Sequence, residues 1–152
     1  MPTHYPGTPR ETRALNAFIK LMRATESLSA RLGRALHASG LTYGQLSVLE
    51  ALHHLGPMHA CDLGAKLLRS NANMTTVLDN LERVGLVVRE RLEDDRRFVR
   101  VSLTPAGKKR IAAVFPAHVA EITGALAALT PAELDELGRL CKKLGLAFEE
   151  NP

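Results

Sequence analysis

The sequence predicts a mostly α fold of the α+β class, and three observations carry that prediction. Apolar residues recur at helical spacing along most of the chain, the period shortens to two only once, between residues 86 and 103, and capping-box signatures stand at Thr42 and Thr130. The 152 residues, 45% hydrophobic and 24% charged, have the makeup of one ordinary globular domain, neither disordered nor collagen-like. A chain of this length buries about 70% of its unfolded surface, so neither disulfides nor metal is needed to support the core. Its two cysteines, Cys61 and Cys141, form no disulfide framework, and a reducing cytoplasm is the expected compartment. No apolar run is long enough to span a bilayer and Met1 to Arg13 lack the apolar stretch of a signal peptide, so no membrane partner is expected.

After three early prolines (Pro2, Pro6, Pro9), the positions Leu15, Phe18, Ile19, Met22, Leu28, Leu32, Ala35 and Leu36 form one face of a long first helix that Gly40 ends. Thr42 then caps a second helix, Gln45 closes the box, and Leu41 with Leu46 forms the hydrophobic staple. That helix carries Leu46, Leu49 and Leu52 and stops at Gly56-Pro57. A short helix follows over about residues 60–68, with Leu63, Leu67 and Leu68 inward. Ser70 is the next N-cap, and Met74, Val77, Leu78, Leu81 and Val84 give a fourth helix its apolar stripe, with Gly85 as the stop.

Opposite that stripe, at about 100° per residue, lie Ala72, Thr75, Thr76, Asp79 and Arg83, with Asn71, Asn73 and Asn80 along the flanks. Residues 86–91 and 98–103 are alternating, β-branched runs around a charged tip, the pattern of a β-hairpin. Thr104-Pro105 starts a fifth helix, with a kink expected at Pro116. Thr130-Pro131-Ala132-Glu133 opens a last helix carrying Leu134, Leu137, Leu140, Cys141, Leu144 and Phe148. The chain thus divides into an N-terminal arm (1–38), a central lobe (41–104) and a C-terminal helical arm (105–152).

Charge follows the same division. Residues 1–60 sum to +3, 61–110 to +4 and 111–152 to −3, and the middle segment holds 11 of the 20 Lys and Arg. A basic centre is the footprint of a polyanion partner, although exposed Lys and Arg also serve solubility alone. Helix, short helix, polar-faced helix and arginine-rich hairpin, in that order, make the plan of a winged helix-turn-helix, whose second helix of the pair enters the DNA major groove. The hairpin carries five arginines against four acids, and guanidinium groups at a protruding tip fit the narrow minor groove and its phosphates.

Three segments, Leu81-Glu82-Arg83-Val84-Gly85-Leu86-Val87, Asp95-Arg96-Arg97 and Val101-Ser102-Leu103-Thr104-Pro105-Ala106-Gly107, occur in order and at the right spacing. Together they resemble the signature of the MarR family of regulators. The resemblance covers about Leu41 to Gly107; the outer helices match in length and position. It implies a homodimeric bacterial transcription factor, usually a repressor, whose terminal helices form the dimerisation domain. A single reading helix spans few base pairs, so binding a palindromic operator also demands two copies.

By this reading Ser70, Asn71, Asn73, Thr75 and Thr76 contact base edges through small amide and hydroxyl groups. The resemblance places Arg97 in the minor groove and Asp95 as the acid that orients the wing tip; Arg69, Arg91 and Arg96 are expected at phosphates. The first two turns of the reading helix hold no Arg, so bidentate guanine recognition is not expected there. The family also implies a small aromatic effector between arms and lobe. His37, Tyr43 and His118 are the expected contacts, with structural packing as the alternative for each. Phe115-Pro116-Ala117-His118 resembles a step in the family's quinone-responsive branch.

His53, His54, His59 and Cys61 fall within nine residues, but adjacent helical histidines diverge by about 100°, so no metal and no cofactor is expected. Two readings stay open for Cys61: an inert buried thiol, and an oxidant or electrophile sensor in the first turn of a helix. The family's familiar sensing position, near the start of the first helix, has no cysteine here. Cys141 reads as dimer core. Two other classes remain: a winged-helix protein-interaction module without DNA binding, and a thiol- or metal-dependent enzyme. No Ser-His-Asp order, phosphate loop or His-Glu-x-x-His motif supports an enzyme, and none is expected.

Overall fold

Helix boundaries in this chain are set by short polar side chains that satisfy the free N–H groups of a first turn. Thr42 accepts from the Gln45 amide while Gln45 reaches back to the Thr42 amide, starting the second helix as expected. The same reciprocal pair is made by Thr130 and Glu133 and by Thr8 and Glu11. The last starts the first helix two turns before the apolar stripe begins. The computed structural model describes residues 3–67, 71–91 and 99–149.

The element order is α1 (Pro9–His37), α2 (Tyr43–Leu55), β1 (Met58–His59), α3 (Ala60–Lys66), α4 (Asn71–Arg83), β2 (Val87–Arg91), β3 (Val99–Leu103), α5 (Pro105–Ala125) and α6 (Pro131–Glu149). α5 runs as one helix through Pro116. β2 and β3 form the expected antiparallel hairpin, with Val88 opposite Ser102 and Arg89 opposite Val101. The structure adds a strand the sequence reading lacked: β1 pairs with the other edge of β3, placing Met58 opposite Val101, so the sheet order is β1-β3-β2. Two residues are too few to show an alternating pattern, and only the edge of β3 makes them a strand.

The core sits in the central lobe. Leu46, Val48 and Leu49 of α2, Leu63 of α3, Met74, Leu78 and Leu81 of α4, Val87 and Val101 of the sheet and Ile111 of α5 are all buried. Val84, expected inward, is exposed instead: it follows the last residue of α4, where the helical period no longer applies.

Two glycines hold the wing in place. Gly85 has φ +72°, and its amide bonds to the Glu82 carbonyl while the Leu86 amide bonds to Leu81, a Schellman stop that turns the chain into β2. Gly107 lies where α5 crosses the chain entering that strand, and a Cβ there would fall on the Leu86 carbonyl oxygen. Thr104 completes the joint, accepting from the Gly107 amide and donating to the Gly85 carbonyl at 2.7 Å.

The arms differ from the lobe. The second half of α1 buries Leu32 and Leu36, and this helix packs along α5. Its first half leaves Phe18 and Met22 exposed. Every α6 residue whose side chain is described is exposed. Among the described residues, no helix is long and apolar enough to cross a membrane.

Candidate nucleic-acid interface

The period of α4 separates its two faces. Met74, Leu78 and Leu81 point into the core, so Ala72, Asn73, Thr75, Thr76, Asp79 and Arg83 are exposed. This is the face expected from the sequence. The Thr76 hydroxyl donates to the Ala72 carbonyl at 3.1 Å, leaving its oxygen lone pairs toward solvent as acceptors. Arg83 donates to the Asn80 side chain at 2.7 Å. Asn71 begins the helix. Arg69, Ser70, Asp95, Arg96 and Arg97 lie outside the described residues, as does Leu68.

The wing arginines do not share one role. Arg91 and Arg100 are exposed, on β2 and β3. Arg89 turns back toward α4: its guanidinium reaches Glu82 at 2.5 and 2.9 Å and Asp79 at 2.7 Å, and its amide donates to Glu82 at 3.1 Å. The hydrogen bond from Arg89 holds the Glu82 carboxyl below the usual carboxylate range, and the same bond raises the Arg89 guanidinium. This clamp ties strand β2 to α4. Sequence reasoning counted Arg89 only as one of five wing arginines. The available signal was an acid near a helix end facing an arginine seven residues later, across a glycine turn.

Lys108 and Lys109 are exposed at the start of α5, where the helix dipole is unfavourable to them. Cys61 is exposed too, with its Sγ 3.7 Å from an Asp62 oxygen, which removes the buried-thiol half of the two readings left open for it: the first turn of α3 presents it outward while Leu63 turns in. Cys141 is exposed on this single chain. The His54 ring lies 5.3 Å from Phe115 and 5.0 Å from His53, an aromatic cluster. Among the described residues no three His, Cys, Asp or Glu side chains group as metal ligands would.

Between the end of α1 and the middle of α5 lies a cavity of about 400 Å³. Leu36, Val114 and several alanines form its walls, and Ser39, His118 and Glu121 supply its polar groups. Of the three expected effector contacts, His118 lines this cavity and is only 7% exposed. Tyr43, largely exposed, sits with its ring 6.3 Å from that imidazole. His37 is exposed in the last turn of α1 and is not in the lining. Glu121 and the nearby ion pair to Arg31 at 3.9 Å were not singled out from the sequence.

Comparison with known proteins agrees with this geometry. The profile of the MarR family matches residues 41–99. The HTH-type transcriptional regulator YkoM of Bacillus subtilis is 36% identical over 134 residues, 88% of this chain and 87% of that protein. MhqR of the same organism, also an HTH-type transcriptional regulator, is 31% identical over 88% of this chain and 92% of its own length. Among solved structures, AbsC, a MarR family transcriptional regulator from Streptomyces coelicolor, superposes with a TM-score of 0.85 at 26% identity, covering 98% of this chain and all of that one. BpsR of Bordetella bronchiseptica, whose DNA binding is described as regulated by 6-hydroxynicotinic acid, gives 0.78 at 26% identity over 85% of this chain and 98% of that chain.

Proposed function

The chain belongs to the MarR family and is a MarR-type transcriptional regulator, and from that premise we propose that it is a repressor that binds palindromic operator DNA as a homodimer and is released by a small aromatic ligand. The observation that carries this reading is the outward face of α4, a strip of small amide and hydroxyl side chains held in fixed relation to the wing by the Arg89 clamp. Asn71, Asn73, Thr75 and Thr76, with Ser70 at the helix start, read base edges in the major groove. Arg97 enters the minor groove with Asp95 orienting the tip, and Arg69, Arg91 and Arg96 take phosphates.

The arms, residues 1–38 and 105–152, hold two lobes (41–104) at the spacing of two half-sites. The exposed apolar residues of α1 and α6 are what a second copy would cover. The cavity lies between the two arms, and Tyr43 at the start of the lobe stands with its ring 6.3 Å from the His118 that lines it, so a ligand that fits better in one arrangement of the lobes than another shifts the population away from the DNA-competent one. BpsR is a precedent for an aromatic effector. An oxidant or electrophile acting at Cys61 is a second route to release, favoured by the exposure of that thiol.

The decisive experiment selects bound duplexes from a random pool and then compares Asn73→Ala on the selected site and on its single-base variants. The expected result is a twofold-symmetric site, affinity that falls steeply with salt, and loss of preference at one base pair per half-site, costing about 1–3 kcal/mol. Equal weakening on selected and random duplexes removes the base-reading role. No retained duplex at low salt leaves a protein-interaction module as the better description.

A further inference from the structure

We propose that the cavity between α1 and α5 selects uncharged hydroxyarenes, with Glu121 accepting a hydrogen bond from a ligand hydroxyl, and excludes aromatic carboxylates. This rests on the reading above that the cavity holds the effector. The argument is an inventory of donors and acceptors around the space. Among the described residues that line it there is no Lys or Arg, and the polar side chains are Ser39, His118 and Glu121. The Ser39 hydroxyl donates to the Leu36 carbonyl at 2.6 Å, so its proton is committed and only its lone pairs face a ligand.

Two arginines of the same helices stand outside that lining. Arg31 on α1 pairs with Glu121 on α5 at 3.9 Å, and Arg110 donates to the Ser39 carbonyl. The cavity also receives the C-terminal end of α1, which contributes Ala35, Leu36 and Ala38 to its wall and carries the negative end of the helix dipole. A carboxylate entering here loses water, meets a carboxylate and a carbonyl-rich helix end, and finds among the described lining residues only the His118 imidazole as a side-chain donor besides the Ser39 hydroxyl. Burying an anion with so few donors is unfavourable.

A neutral hydroxyarene meets the reverse situation. Its ring lies against Leu36, Val114 and the alanines, and its O–H has acceptors in Glu121 and in the Ser39 oxygen. A volume of about 400 Å³ suits a ligand of one substituted ring. A cation gains less in its place than Glu121 alone would give it, because Arg31 lies 3.9 Å away and weakens the local field, which reduces the repulsion of acids in the same proportion. Both partners of that pair are about half exposed, so water screens the selection and its size is moderate.

The test is calorimetric titration of the intact protein in oxygen-free buffer with hydroquinone, catechol, 4-hydroxybenzoate, salicylate and tyramine, repeated on Glu121→Gln and on Ala117→Trp, which fills the cavity. The two diols are expected to bind about tenfold more tightly than the matched acids, close to the like-charge cost in bulk water and below that of an unscreened surface pair. Glu121→Gln is expected to narrow that gap by strengthening the acids while the melting temperature holds, and Ala117→Trp to abolish the heats. Acids that match the diols, tyramine as the tightest ligand, or a gap unchanged in Glu121→Gln overturns the selectivity alone. Heats that survive Ala117→Trp, or none from any compound, overturn the effector cavity itself and the selectivity with it.

Discussion

The central lobe and the terminal arms both place leucines at helical spacing, yet those leucines end in opposite environments. Leu49, Leu63 and Leu81 are completely buried within the lobe, whereas Leu137, Leu140 and Leu144 of α6 keep 39, 48 and 47% of their surface in contact with solvent. Phe18 of α1 keeps 59%. The same periodicity therefore has two meanings: in the lobe the apolar faces close on one another, and in the arms they form a surface larger than a single chain can cover. Contiguous apolar patches of that kind mark interaction sites. The lobe closes its core within one chain, whereas the arms leave apolar faces that the proposed second copy would cover.

Four variants break or sharpen that contrast. The largest effect is expected from charging the α6 stripe. Leu137→Glu combined with Leu140→Glu should leave lone subunits in sedimentation and weaken operator affinity by about 10³-fold, the gap between specific and non-specific binding, with the lobe still folded. Next is Leu78→Ala, which should cost about 2–5 kcal/mol in a denaturant melt, because the removed atoms leave a cavity in a closed core. The two are told apart by concentration: the Leu78→Ala loss should not depend on it, whereas assembly through the arms makes the melting temperature of the parent protein rise with protein concentration.

Gly107→Ala comes third, at about 1–3 kcal/mol, because the added methyl meets backbone that cannot move without shifting the wing. Its signature is a loss of DNA affinity with the dimer intact. Glu82→Gln is the smallest, below about 1 kcal/mol, since the Arg89 clamp is partly exposed and screened. Because the folded Glu82 carboxyl lies below 4.5, the clamp's contribution is full above that value and is lost as pH falls through the lower folded value. The parent should lose that increment on acidification below about pH 4.5, and a pH series of melts on Glu82→Gln should lack it.

Features carried by adjacent residues were legible beforehand. The boxes at Thr42 and Thr130, the Gly85 stop and the outward face of α4 rest on contacts within a few positions, and the hairpin on the alternation within each of its strands, so their spacing shows in the sequence. The signature segment 101–107 was legible as a motif before its reason was: only the crossing of α5 over Leu86 shows why position 107 has no room for a side chain. Much of the candidate site lay beyond pattern reading. Arg89 and Arg91 share a face of β2, two positions apart, and what separates them is that only position 89 comes within reach of Glu82 and Asp79 on α4.

What the sequence by itself determined was the order of the helices and the hairpin, most helix starts and stops, and which face of each lobe helix is apolar, because capping bonds and side-chain periodicity act over distances of one or two turns. Tertiary structure alone decided the pairing of β1 with β3, the Arg89 clamp, the outward thiol of Cys61 and the cavity where His118 and Glu121 meet the end of α1. Each of these joins separate elements or follows from how one packs on the rest of the fold. Their distances are set by the packing of the core, and no local rule along the chain encodes that packing.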